Sequence, residues 1–352
     1  MSSSALDTKP PVTAQREEFY RRIDKKSATP LWEYLADLVT PEPRTPCVPA
    51  MWRYEEMRPL LMESGGLITA REAERRVLIL ENPGVRGASR ITQSLYAGMQ
   101  LVMPGETAPT HRHTASALRF VLESSGGYTA VDGERTTMQP GDFVVTPAWT
   151  YHDHGNPGDG PVIWMDVLDI PLVNTLDTSF AEHYSQEVQP VTKKEGDSLA
   201  RFGANLLPVN YTAERKSTPI FSYPYSRTRE TLEELYKNGP VDASHGVKMR
   251  FVNPATGGSP LPTIATFIQL LPGGFRGKAY RATDATVYCV VEGSGRSQVG
   301  KSSFDWKQHD IFVVPSWCPV AHEASEKTVL FSASDRPVQQ MLGLWREQVP
   351  VS

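Results

Sequence analysis

Gly105-Glu106-Thr107-Ala108-Pro109-Thr110-His111-Arg112-His113 is the stretch whose reading decides the fold. Residues i and i+2 of a β-strand point to one face, so His111 and His113 present both imidazoles to the same side. A third histidine follows in Gly141-Asp142-Phe143-Val144-Val145-Thr146-Pro147-Ala148-Trp149-Thr150-Tyr151-His152-Asp153-His154. A returning antiparallel strand can bring His152 opposite the pair. Three neutral imidazoles converging on one point make a site for a first-row divalent metal with open positions. An HxH pair alone is a weak signal, because such pairs also arise by accident on surfaces. Here the chain has only 8 histidines in 352 residues, and His111, His113, His152 and His154 all lie on two strand-like segments. Turn chemistry precedes both: Pro104-Gly105 and Pro140-Gly141-Asp142.

Working outward, short apolar runs follow one another at close spacing: 76–80, 94–102, 117–122, 128–131, 142–146 and 162–168. Gly, Pro, Asp and Asn separate them, which predicts an antiparallel sandwich or barrel. Asp132-Gly133 and Gly126-Gly127 suit hairpin turns. Upstream the period is helical, at Gln15 to Lys25, at Leu31 to Val39, and from Trp52 to a stop at Gly65-Gly66.

The β-unit repeats. Asp142-Phe143-Val144-Val145-Thr146-Pro147-Ala148-Trp149 recurs as Asp310-Ile311-Phe312-Val313-Val314-Pro315-Ser316-Trp317. Pro104-Gly105 recurs as Pro272-Gly273 at the same offset. At that offset His111 falls on Ala279, His113 on Arg281 and His152 on Val320, so the second copy has no ligands. His322 matches His154 and reads as a structural histidine. One metal per chain is expected, in the first copy. The expected division is a helical arm over 1–75, a metal-binding barrel over 76–175, a linker with helices over 176–245 (Arg229 to Lys237 has helical spacing) and a metal-free barrel over 246–352.

Bulk properties exclude other classes. The net charge is -4 with no basic stripe, so nucleic acid is not an expected partner. Cys47, Cys289 and Cys318 are scattered and fit a reducing compartment. Neither a signal-peptide core nor a membrane-length apolar run is present, so a soluble, cytoplasmic protein is expected.

The pattern G-x5-HxH followed by PGDxxxxPxxxxH resembles the cupin double-stranded β-helix. The glutamate that cupins usually carry after HxH is absent from Thr114-Ala115-Ser116-Ala117-Leu118. Three histidines, no glutamate and a degenerate second barrel resemble the gentisate 1,2-dioxygenase family. So do Ala117-Leu118-Arg119-Phe120, Tyr128-Thr129-Ala130-Val131-Asp132-Gly133-Glu134, His152-Asp153-His154-Gly155-Asn156 and Leu168-Asp169-Ile170-Pro171-Leu172. The resemblance covers nearly the whole chain. It implies an all-β bicupin, two jelly-roll barrels with an N-terminal helical arm, assembled as a homotetramer. It also implies one Fe(II) per chain, held by His111, His113 and His152, with a small aromatic acid and O2 as reactants. The family pattern has glutamine at Ala115 and tryptophan at Tyr151; these departures leave the reaction class as the resemblance implies it and the ring substituents of the substrate open.

Further residues are candidates. Arg119 lies an even number of residues after His113, and an inward arginine needs an anion: the substrate carboxylate, or else a neighbouring acid. Arg71 and Arg75 have helical i, i+4 spacing; the resemblance implies that they reach over the site, and a solvated helix face is the alternative. His154 shares a face with His152 and is a candidate base for the ring hydroxyl, or a structural hydrogen-bonding residue. Asp166, in an apolar strand, is a candidate acceptor for a ring 5-hydroxyl proton. Gln100, Tyr96 and Ala115 are candidate pocket residues, with core packing the alternative for Tyr96.

The leading expectation is a dioxygenase that cleaves gentisate to maleylpyruvate. A second is cleavage of salicylate or a 5-substituted salicylate such as 5-nitrosalicylate. A third, from another class, is a non-catalytic bicupin binding small acids, which would need neither the full histidine set nor Arg119.

Overall fold

Alternation along the strand Tyr96–Val102 sends its side chains to two different cores. Ala97, Met99 and Leu101 join a cluster shared with the second barrel, while Val102 joins a smaller one inside the first. The computed structural model describes residues 12–213 and 215–349. Within it the first barrel is two antiparallel sheets. One runs, in spatial order, Ser222–Tyr223, Phe143–Thr146, Ala117–Glu123, Val162–Leu168, Tyr96–Val102 and Val77–Ile79. The other runs Ala181–His183, Thr107–His113, His152–Gly155, Tyr128–Val131 and Glu134–Thr137. Asp132 and Gly133 both have positive φ, 50° and 78°, and close the predicted hairpin between the last two strands.

A second barrel of matching order follows, with Ala265–Leu271, Thr286–Glu292, Ile311–Val314 and Thr328–Ser334 in one sheet. The broad sheets of the two barrels pack on each other. Phe120 stacks on Phe331 at 4.2 Å in that shared core.

The segments before each barrel also repeat, which spacing did not reveal. Ala50–Trp52 leads into the 14-residue helix Tyr54–Leu67, and Ser222–Tyr223 into the 14-residue helix Tyr225–Asn238. Each leader strand pairs with the barrel of the other repeat: Trp52 with Ile311, and Tyr223 with Phe143. The backbone N–H of Tyr54 donates to Asp310 at 2.7 Å, and that of Tyr225 to Asp142 at 2.8 Å. Each helix then returns to its own barrel. Tyr54 and Arg58 grip Glu123, while Tyr225 and Arg229 grip Glu292. Residues 45–75 therefore belong with the barrels rather than with a separate arm, and the segment 176–245 contributes two strands, Ala181–His183 and Ser222–Tyr223, to the first.

Of the described residues, 12–44 form a unit of their own. Its helices are Ala14–Asp24, capped by Thr13, and Leu31–Leu38; an Arg16–Glu33 ion pair at 2.7 Å joins them. No helix among the described residues is long and apolar enough to cross a membrane.

Two local expectations need correction. Gly65-Gly66 does not stop the third helix, which continues to Leu67. A Cβ on Gly65 would lie 3.2 Å from Met103, so glycine there permits close approach of helix to sheet. Arg71 and Arg75 do not share a helix, because Ala70–Ala73 ends before Arg75 and Glu74 takes φ 55°.

Candidate metal centre

The ligand strands meet in register, with His111 opposite His152. Their Nε2 atoms lie 3.1 Å apart, and the three ligand atoms of His111, His113 and His152 all fall within 4.8 Å of one another. Backbone carbonyls fix two of the rings. His113 Nδ1 donates to Ala115 O at 2.7 Å and His152 Nδ1 to Thr150 O at 3.0 Å. With Nδ1 protonated, each Nε2 lone pair points at the common centre. Burial and the nearby arginines keep the set neutral: His111 is lowered to about 2, His113 to about 4, and His152 well below its usual value. Three neutral, converging nitrogens with no carboxylate among them can hold a divalent transition metal.

Around the triad the barrel interior is polar. Arg119 is 3% exposed; its Nη1 donates to Thr146 at 2.5 Å and its Nε lies 3.6 Å from Asp166. The neighbouring-acid partner is thus present: Asp166 stands opposite Arg119 on the paired strand. Burial raises the Asp166 carboxyl to about 6 against the pull of Arg119. Arg75 is drawn inward, donating to the carbonyls of Glu74 and Pro109, and burial lowers it to about 9. Arg71 remains exposed on its short helix. His154 is fully buried, shares a 2.9 Å hydrogen bond with Thr129 through Nδ1, and has no partner at Nε2. Gln100 Nε2 is likewise buried without a hydrogen-bond partner, and Arg119 Nε has only the 3.6 Å contact with Asp166. These donors suit an oxygen-rich anionic ligand beside the metal. Tyr96, Gly98 and Gln100 share one face of their strand, and Gly98 pairs with Asp166. Ala115 is buried and acts through its carbonyl on His113.

Tyr151 is not beside the ring pocket. Its hydroxyl reaches Glu182 at 3.4 Å and its ring packs on Tyr184, on the outer face of the barrel. Sequence reasoning missed Thr146, Thr129 and Asp153. Asp153 is buried and accepts from Thr110 and Gln189, tying the ligand strands together from behind. The offset of His152 from His154 already placed Asp153 on the opposite face.

The second barrel has filled its centre. Tyr280 bridges Val320 as His111 pairs with His152, so the counterparts of His111 and His113 are Tyr280 and Ala282, one residue later than Ala279 and Arg281. Compensating single-residue changes in loops hid this from a gapless comparison. Tyr288 pairs with Phe312 and Ser332 as Arg119 pairs with Val144 and Asp166. Tyr288, Phe312 and Trp306 stack nearly parallel where the first barrel keeps its polar groups. No histidine set stands there among the described residues. A groove of about 870 Å³, lined by Lys193, Asp197 and Arg215, opens outside the first barrel, away from the histidines.

A cupin-domain family model matches residues 98–168. The chain is 58% identical to gentisate 1,2-dioxygenase 1 of Aquipseudomonas alcaligenes over 96% of this chain and 98% of that one. The chain belongs to the gentisate 1,2-dioxygenase family. As a member it is an aromatic ring-cleaving dioxygenase, which sets aside the non-catalytic alternative. A 5-aminosalicylate 1,2-dioxygenase from a Comamonas species is 37% identical over 94% of this chain and 90% of its own. Among solved structures, salicylate 1,2-dioxygenase of Pseudoaminobacter salicylatoxidans with gentisate superposes at a TM-score of 0.93, with 32% identity, over 99% of this chain and 98% of that one.

Proposed function

We propose that this enzyme uses one Fe(II), held by His111, His113 and His152, to cleave gentisate to maleylpyruvate. Both oxygen atoms of O2 enter the product, between the carboxyl-bearing carbon and its hydroxyl-bearing neighbour. The observation that carries the reading is the convergence of three neutral Nε2 atoms beside a buried arginine. When bound, Fe(II) supplies Lewis-acid and redox chemistry at its open positions. The protein's own groups do the rest. Arg119 and Arg75 offer positive charge to the substrate carboxylate. His154, held neutral by burial, takes the proton of the ortho hydroxyl at its free Nε2. Asp166 accepts a hydrogen bond from the 5-hydroxyl, and Gln100 Nε2 donates to a ring oxygen.

A second reading, turnover of salicylates with other 5-substituents, is supported by the relative named for 5-aminosalicylate and by the small Ala115. Oxygen uptake with gentisate, salicylate and 5-nitrosalicylate tests both. Uptake with gentisate alone fits the first reading, and uptake with salicylates extends it. No uptake with any hydroxybenzoate overturns both. A homotetramer in the cytoplasm is our reading of the family and of three unpaired cysteines; light scattering tests the assembly.

A further inference from the structure

Arg112 stands between two ligands, yet its side chain leaves the barrel on the opposite face. Its guanidinium lies 4.4 Å from the centre of the Trp149 ring and 4.5 Å from that of Tyr151. Nε and Nη2 both donate to Glu182 Oε2, at 2.9 and 2.5 Å. The parts it grips are the neighbours of every ligand. Tyr151 immediately precedes His152. Trp149, in the left-handed region at φ 57°, donates its backbone N–H to His113 O at 2.7 Å. Glu182 lies on the strand Ala181–His183, which pairs with the ligand strand so that Ala181 faces His113 and His183 faces His111.

The metal-free barrel repeats half of this arrangement. Arg281 lies 4.4 Å from the Trp317 ring centre, and Trp317, at φ 61°, donates to Ala282 O at 2.7 Å. Arg281 Nε donates at 2.8 Å to Gln348, on a strand paired in the same way. The Arg–Trp half is therefore part of how either barrel closes its mouth. What differs is the rest: Pro319 stands where Tyr151 does, and neutral Gln348 replaces Glu182. Among the described residues, a second aromatic face lies over the arginine only in the barrel that carries the histidines.

We propose that Arg112, clamped by Tyr151 and Glu182, is a positioning residue that sets the spacing of the two ligand strands and thereby the metal affinity of the three histidines. The proposal rests on the reading of those histidines as Fe(II) ligands. It also accounts for Tyr151 where the family pattern has tryptophan, since either ring offers a face to a guanidinium.

Full-length enzyme titrated anaerobically with Fe(II), against a chromogenic chelator, tests it. Tyr151→Ala and Glu182→Ala should each raise the Fe(II) dissociation constant about tenfold, the scale of losing support behind a ligand. The melting midpoint of the apo-protein should stay at the wild-type value. Tyr151→Trp should retain wild-type affinity, and Arg281→Ala, in the other barrel, should leave Fe(II) binding unchanged. Wild-type affinity in both alanine variants overturns the proposal, as does equal weakening by Arg281→Ala. Should Tyr151→Ala fail to fold, Glu182→Gln keeps the shape and removes the charge, and unaltered affinity in it is equally decisive. If the wild type itself takes up no Fe(II), the metal reading fails instead.

Discussion

His154 and His322 occupy matching positions, each sharing a hydrogen bond through Nδ1 with a hydroxyl, Thr129 in one barrel and Ser297 in the other. Their surroundings separate them. His154 has the triad beside it, whereas His322 packs 5.1 Å from Tyr288. His111→Ala, His113→Ala or His152→Ala should each abolish both bound iron and turnover, because no carboxylate is at hand to substitute. His322→Ala should leave the iron content of the purified enzyme unchanged; iron analysis beside activity checks both. Asp166 gives a pH signature. Its folded carboxyl titrates near 6, raised by burial above an ordinary aspartate near 3.9. The unfolded chain gives up this proton first, so the protonated group favours the fold below about pH 4. That contribution is lost as pH rises through 6, on the order of 3 kcal/mol in all. Apo Asp166→Asn lacks this slope. The difference in unfolding free energy between it and wild type should therefore shift by that order from pH 4 to 7, measured by urea titration.

At the scale of elements, the helix Tyr54–Leu67 shows what was legible. Its start was readable from Trp52 onward, but its end was not, because Gly65-Gly66 signals a stop in isolation and close packing in context. Leu61 is fully buried under this helix and Leu60 beside it is 55% exposed. Leu61→Ala should cost roughly 2–5 kcal/mol and Leu60→Ala less than about 0.5, read from denaturant midpoints at constant slope. The metal triad was readable because strand alternation and two turns fix it within 42 residues of chain. The inward turn of Arg75 was implied only by the family resemblance and not by its i, i+4 spacing, since it depends on a single positive φ at Glu74. The outward face of Tyr151 follows from the same alternation that places Asp153 opposite His152, but its contacts with Glu182 and Tyr184 come only from the fold. Arg119 was placed on the inward face, but its contacts with Asp166 and Thr146 come from strand pairing that spacing does not encode.

At the scale of the whole molecule, the exchanged leader strands bind the two repeats into one folding problem. A fragment of residues 45–221 would lack the edge strand Ser222–Tyr223 and would carry Ala50–Trp52 with no sheet to join. Unpaired edges of this kind drive aggregation. The fragment alone should be insoluble, and co-expression with residues 222–349 should restore a soluble complex; recovery of a folded, monomeric 45–221 fragment would contradict the crossed arrangement.

The crossing also sets an order in time. The partner of Tyr225, Asp142, lies 83 positions back and has already left the ribosome when Tyr225 is made. The partner of Tyr54, Asp310, lies 256 positions ahead. At roughly 5–20 residues per second, the first leader strand waits on the order of tens of seconds for its sheet to be synthesised. Through that interval the nascent chain carries an unpaired leader strand, so the first repeat can settle its leader only after the second barrel's sheet has been translated.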